Sequence, residues 1–268
     1  MSDYRSWSQL SDYERCPLAY KLKRVDKVWK RPAAWLDMGT AVHEACERWE
    51  LSDQRMSLAD AVQVAKDRYI KGVNRLLDET PNASMWFRSG PYDGAADIER
   101  RYGLLESHVG NYIRYYTQTK PSRKAVMLDE VDDESQTIAR VPAVEVPFTM
   151  DLGGVEVRGK IDKVEMDFNT GTTRVVDLKT GANPGGPDQL KVYSMAMRAH
   201  DYDITVGSFF MTKRGTPTRD QDLTQIPDSD IVERFQAADT GIREEKFPAK
   251  VGDHCSRCEV NTSCPFWK

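Results

Sequence analysis

Long apolar runs are missing from this 268-residue chain, and nothing in it approaches the ~18 consecutive apolar residues that a membrane span requires. Its first ten residues carry charges and Trp7 where a secretory leader needs an apolar stretch. A soluble, cytoplasmic protein with no membrane partner is the expectation. Cysteine is scarce as well: five residues, an odd number, do not make a disulfide scaffold, which leaves metal ligation or reactivity as their use. The chain also lacks a strong charge of one sign. Lys and Arg total 38 against 42 Asp and Glu, a formal charge of -4, so it is not a polycation that grips nucleic acid by bulk charge. Any nucleic-acid contact must come from local patches. Internal repeats and low-complexity tracts are absent.

What is present falls into two halves. Between residues 15 and 31, seven basic residues stand against Asp26 alone, interleaved with aromatics. Over residues 38–49, Val42, Ala45, Cys46 and Trp49 recur at the spacing of one buried helical face, with His43 beside the stripe and Cys46 a small hydrophobe within it. Helical patterning continues over 58–116, broken near Pro81 and at Ser89-Gly-Pro-Tyr-Asp-Gly94, where turn formers cluster. The acidic run Asp129, Glu130, Asp132, Asp133, Glu134 reads as a solvated loop that closes this half, because like charges at that density repel.

The hydrophobic period then changes to two. Strands are expected over 141–150 and 155–162, and another over 172–179 after the turn signal Asn169-Thr-Gly171, so the last two form an antiparallel hairpin. A helix over 188–200 follows, with Pro187 near its first turn, then a strand over 204–212 and a helix around 230–238. The domain reading is an N-terminal helical segment (1–50), a helical insertion of unassigned role (51–125), an α/β core (126–221) and a C-terminal cysteine segment (222–268).

A hairpin turning at residues 169–170 sets Asp162 opposite Asp177. Cross-strand Cβ atoms lie ~5 Å apart, and oxygen ligands bind Mg²⁺ at ~2.1 Å, so the two carboxylates can share one hard cation. Lys179, two residues beyond Asp177, projects from the same strand face. A cation there polarises a phosphoryl oxygen and acidifies water, while the lysine stabilises charge or orients the nucleophile. Taken alone, Asp-x-Lys also reads as an ordinary exposed ion pair worth ~0–1 kcal/mol.

The ordered set Gly39-Thr-Ala-Val-His43, Gly159-Lys-Ile-Asp162, Asp177-Leu-Lys179 and Gln189-Leu-Lys-Val-Tyr193 resembles the RecB-like branch of the PD-(D/E)xK nuclease superfamily. The resemblance implies a restriction-endonuclease-like α/β fold, with a mixed central sheet flanked by helices and a helical N-terminal region. It makes His43, Asp162 and Asp177 metal ligands for Mg²⁺ or Mn²⁺, completed by the main-chain carbonyl of Leu178, and Lys179 the catalytic lysine. Gln189 and Tyr193, spaced to share a helical face, match its Gln-x-x-x-Tyr motif and act near the site or on the nucleic-acid strand; Tyr193 also fits a partly buried core position. Glu145 on the preceding strand ranks below these. His43-Glu44-x-x-Glu47 lacks the second His of a zinc-protease helix.

The C-terminus reads Cys255-Ser-Arg-Cys258-Glu-Val-Asn-Thr-Ser-Cys264-Pro265, and Cys16-Pro lies near the other end. Four thiolates complete a coordination shell for either structural zinc or an iron-sulfur cluster, and spacing does not separate the two. The pattern is similar to the iron-sulfur staple of AddB-type and CRISPR-associated RecB-like nucleases, which implies a [4Fe-4S] cluster on Cys16, Cys255, Cys258 and Cys264. A shell spanning both ends of the chain removes loop-closure entropy from the unfolded state and joins the termini.

The resulting expectation is a metal-dependent DNase. The resemblance adds exonuclease action on single-stranded DNA or DNA ends, and recombination, helicase or CRISPR-adaptation proteins as partners. Lys23 and Arg24, in the basic and aromatic stretch, are expected to hold DNA by phosphate neutralisation and stacking. The rival reading is a noncatalytic DNA-binding subunit with a structural metal site.

Overall fold

The computed structural model describes residues 3–131 and 138–267. Helix α1 (Trp7–Arg15) is capped by the Ser6 hydroxyl, which accepts from the Gln9 amide; α2 (Pro17–Tyr20) starts on a proline and runs into a wider turn over Lys21–Val25. Three longer helices follow: α3 (Ala34–Leu51), α4 (Leu58–Glu79) and α5 (Gly94–Arg114). Ser57 caps α4 and Asp93 caps α5 through their side chains. Gly94 is required where it stands, since a Cβ there would lie 2.0 Å from the Ala83 carbonyl oxygen. The expected stripe is buried as predicted, with Val42, Ala45, Cys46 and Trp49 all inside.

The second half begins with β1 (Arg123–Ala125), β2 (Met127–Val131), β3 (Ile138–Pro142) and β4 (Val144–Asp151), then β5 (Glu156–Asp167) and β6 (Thr172–Lys179). Helix α6 (Asp188–Met197) crosses to β7 (Val206–Met211), which two short strands, β8 (Thr216–Pro217) and β9 (Gln221–Asp222), flank. Helix α7 (Asp228–Arg243) and two tight turns complete the chain. The main sheet is mixed: β4 and β1 pair antiparallel with β5, β5 antiparallel with β6, and β6 parallel with β7. This is the α/β sheet with flanking helices that the sequence reading expects.

Three details differ from that reading. The strand expected over 141–150 is two: β3 ends at Pro142, which has no amide hydrogen to continue the ladder, and belongs with β2 in a separate two-stranded sheet. Asp129 and Glu130 of the acidic run lie on β2 rather than in a loop, Asp129 pairing with Arg140 at 3.5 Å, while Asp132, Asp133 and Glu134 lie outside the described residues. The helix expected over 188–200 ends at Met197, and its final turn tightens over Arg198–His200 before Asp201 takes a left-handed conformation, φ 61°.

The sheet has a core on each face. On one, Val176, Leu178 and Phe210 pack with α3, α4 and α5, so the helices of 58–114 share a core with the sheet. On the other, Val175, Phe209 and Met211 meet Leu190, Tyr193 and Met197 of α6. The termini are docked by more than the cysteines: Arg5 pairs with Asp239 at 2.6 Å, Arg234 with Glu14 at 2.7 Å, and the Tyr13 hydroxyl donates to the Lys246 carbonyl at 2.6 Å. Among the described residues, no helix is long and apolar enough to cross a membrane.

Candidate active site

The β5–β6 hairpin turns through Gly171, φ 70°, and pairs Lys163 with Val176 and Val164 with Val175, the register the sequence implies. The ladder stops one position short of Asp162 and Asp177, which therefore stand where the strands leave regular pairing. The β4–β5 ladder is interrupted at the same level. Val144 pairs with Lys163 and Val146 with Ile161, while Glu145 between them takes φ 49°. Ile161 and Val164, three residues apart, both enter the α6-side core, so the alternation of β5 slips between them. A left-handed backbone at a non-glycine residue costs of the order of 1–3 kcal/mol and persists where surrounding structure enforces it, commonly at functional sites.

The slip gathers His43 of α3, Glu145 of β4 and Asp162 of β5. Among the described residues, this is the group whose ligand atoms all lie within 4.8 Å of one another. His43 Nδ1 is 3.5 Å from Glu145 Oε1 and 3.7 Å from Asp162 Oδ2, and Nε2 is 3.0 Å from the Leu178 carbonyl oxygen. The Leu178 amide donates to Asp162 Oδ2 at 2.8 Å. One residue of β6 thus touches both the imidazole and the carboxylate through its main chain.

Asp177 is held differently, in a closed ring of hydrogen bonds. Lys179 Nζ meets Asp177 Oδ2 at 2.7 Å and donates to Gln189 Oε1 at 3.1 Å. Gln189 Nε2 donates to the Tyr193 hydroxyl at 3.0 Å, and that hydroxyl donates to Asp177 Oδ1 at 3.3 Å. Gln189 and Tyr193, one turn apart on α6, therefore fix the aspartate and lysine relative to each other. Tyr193 also fills the core position its spacing allowed, at 5% exposure.

Burial and the charge of Asp177 push the Asp162 carboxyl up to about 7. Burial raises Asp177 too, offset in part by Lys179, His43 and Tyr193. Burial opposes protonation of His43, but Asp162, Glu145 and Asp177 outweigh it and hold the ring up to about 9. Three carboxylates thus converge on one imidazole and one ammonium. The donor set of imidazole, carboxylate oxygens and a main-chain carbonyl fits a hard divalent cation such as Mg²⁺ or Mn²⁺.

Other residues singled out in the sequence lie elsewhere. Lys23 is turned inward, its side chain 6% exposed, and pairs with Asp12 at 3.0 Å and with Glu259. Arg24 joins the same Asp12 at 2.8 Å. The two cations expected to hold DNA are thus engaged with carboxylates, and through Glu259 Lys23 ties the N-terminal helices to the cysteine segment. Cys16, Cys255, Cys258 and Cys264 line one apolar cavity with Ala19, Leu22 and Val260. Cys46 is buried apart from them among the α3–α5 core residues.

Two features had no clear sequence signal. Glu145 ranked low because nothing in one sequence announces a left-handed φ at a glutamate. Behind the site, the fully buried Lys163 bonds Glu50 at 2.5 Å, lies 3.6 Å from Glu165 and sits 3.4 Å from the Tyr116 ring centre. Tyr112 donates to Glu50 at 2.8 Å and Tyr116 to Glu165 at 2.7 Å. Lys163 lies just past the strand expected over 155–162 and belongs to no motif.

Comparison with known proteins agrees with this geometry. Residues 5–265 match the family described as the PD-(D/E)XK nuclease superfamily. The chain is similar to the Gene 69 protein of Mycobacterium phage L5, 42% identical over 98% of this chain and 97% of that protein. It is likewise similar to the Gene 69 protein of Mycobacterium phage D29, 38% identical over 98% and 97% of the two chains.

Proposed function

The chain belongs to the PD-(D/E)XK nuclease superfamily, and from that premise we propose that it is a metal-dependent DNA exonuclease of the RecB-like type, acting on single strands or DNA ends and stabilised by a [4Fe-4S] cluster. The observation that carries the nuclease reading is the meeting of His43 of α3, Glu145 of β4 and Asp162 of β5 beside the Asp177–Lys179 pair at the end of β6. His43, Asp162 and Asp177 would hold Mg²⁺ or Mn²⁺, with the Leu178 carbonyl and Glu145 beside them. When bound, the cation would polarise a phosphoryl oxygen and acidify a water.

The chain's own residues supply position and charge. Lys179, 26% exposed in its side chain, offers an ammonium to a phosphate while Gln189 and Asp177 keep it in place. Tyr193 holds the Asp177 carboxylate in one orientation. The Leu178 amide does the same for Asp162.

Convergence of the four cysteines on one cavity supports the cluster. A cytoplasmic setting, where thiols stay reduced, suits it.

The deciding measurement is cleavage of end-labelled single- and double-stranded DNA with Mg²⁺ or Mn²⁺ by the wild type, Asp177→Ala and Lys179→Ala. Cleavage that needs the metal and is lost in both variants is expected; metal-independent cutting, or active variants, would overturn the mechanism. Shortening from the ends marks an exonuclease, and internal nicking counts against it. For the cluster, stoichiometric iron with visible absorption is expected, and Cys16→Ala should lower the melting temperature. Stoichiometric zinc without iron would reverse that assignment.

A further inference from the structure

The helices of residues 58–114 carry no motif of the nuclease core, yet α5 borders a trough that reaches Thr180, the neighbour of Lys179. This trough of about 540 Å³, within the ~300–1,000 Å³ range of ligand sites, is lined on one side by Trp35 and Gly39 of α3 and by Tyr92, Arg100 and Arg101. Its other side is formed by Thr180, Gly181, Ala182 and Lys213. Thr180 follows Lys179 directly, and its Oγ1 would lie 3.4 Å from a Cβ at Gly39. The trough therefore begins one residue from the catalytic lysine.

Its composition is one-sided. Among the described residues, Arg100, Arg101 and Lys213 line it, and no carboxylate does. Both arginines are anchored from beneath by Asp97, which is fully buried, at 2.6 Å and 3.2 Å, and both donate to the Ser89 hydroxyl. One buried negative charge holds two guanidiniums in place and leaves the wall net positive. Aromatic faces alternate with these cations: Arg100 lies 4.7 Å from the Tyr92 ring centre and Arg101 6.0 Å from that of Trp35. The turn Ser89-Gly-Pro-Tyr92, closed by hydrogen bonds between Ser89 and Tyr92, displays Tyr92 with 41% of its surface exposed. A large aromatic ring held at a surface turn beside fixed guanidiniums is the pairing that single-stranded nucleic acids use, with stacking for bases and cations for phosphates.

We propose that this trough is the path by which single-stranded DNA reaches the active site, with a base stacking on Tyr92 and Arg100, Arg101 and Lys213 holding the phosphates. The inference rests on the nuclease reading and gives the helical insertion a role. It also moves strand binding away from Lys23 and Arg24, which meet two carboxylates, Asp12 and Glu259, whereas Arg100 and Arg101 share the single Asp97.

The test measures binding separately from cleavage. Anisotropy of a fluorescein-labelled thymidine oligonucleotide of about 20 residues, titrated in EDTA, compares the wild type with Tyr92→Ala, Tyr92→Phe and Lys213→Ala; a duplex of equal length runs in parallel. Tyr92 and Lys213 are exposed, so their replacement leaves the core intact. Tyr92→Ala should raise Kd about tenfold, while Tyr92→Phe, which keeps the ring, stays within about twofold. Lys213→Ala should reduce the salt slope by about 0.7. Wild-type binding by both alanine variants, no binding by the wild type, or a preference for duplex would overturn the proposal. A chain that cleaves DNA while these variants bind normally loses the trough but keeps the nuclease reading. One that binds through Tyr92 and Lys213 yet cuts nothing keeps the trough and loses the nuclease.

Discussion

His43 and Glu145 face each other at 3.5 Å, imidazole Nδ1 to carboxylate Oε1, and the glutamate holds a left-handed backbone at that position. This is the contact that brings a third acidic strand position to the candidate metal site. Groups that ligate or orient a metal-binding histidine change metal affinity by ~10–100-fold when removed. Glu145→Gln should accordingly weaken Mn²⁺ binding by about that factor, measured by electron paramagnetic resonance titration, with circular dichroism confirming an unchanged fold. Mn²⁺ affinity equal to the wild type would remove Glu145 from the site.

The buried Lys163 joins two glutamates from different elements, Glu50 of α3 and Glu165 of β5, and the rings of Tyr112 and Tyr116 close over it. Removing one partner of a buried ion pair strands the other charge, at a cost of ~3–5 kcal/mol. Lys163→Met should lose stability on that scale in urea unfolding. Adding Glu50→Gln should recover part of it, because one uncompensated carboxylate disappears. A single variant as stable as the wild type would show that the network contributes nothing.

His108 is buried, with Nδ1 2.8 Å from the Thr212 hydroxyl, and burial, with Arg101 and Lys213 nearby, lowers it to about 4. Its folded value lies below the unfolded value of ~6.5. Above pH ~6.5 both states are neutral and the group has no effect. As pH falls from ~6.5 to ~4, the unfolded chain takes up the proton first, so stability should decline across that window by up to about 3 kcal/mol. His108→Asn should flatten this part of the profile, recorded as urea midpoints against pH. An unchanged slope in the variant would assign the decline to other groups.

Much of the candidate site was legible in local spacing. The turn at Asn169-Thr-Gly171 fixes the hairpin register, which carries Asp162, Asp177 and Lys179 to one end, and a four-residue spacing puts Gln189 and Tyr193 on one face of α6. For Lys23 and Arg24 the same local reading leaves out their partners. Composition shows that a segment is basic, but the carboxylates that engage it, Asp12 and Glu259, come from elsewhere in the chain.

By itself, then, the sequence determined the alternation of helix and strand, the hairpin and the types of residue placed at its open end, because periodicity and turn chemistry act over a few neighbouring positions. Only the tertiary structure decided that Glu145 turns left-handed toward His43, that Lys163 is buried between Glu50 and Glu165, and that Tyr92 and Lys213 border one trough beside Lys179. Apart from Lys163 and Glu165 on one strand, those relationships join different elements far apart in the chain, and they arise from how helices and sheet pack together rather than from any local preference.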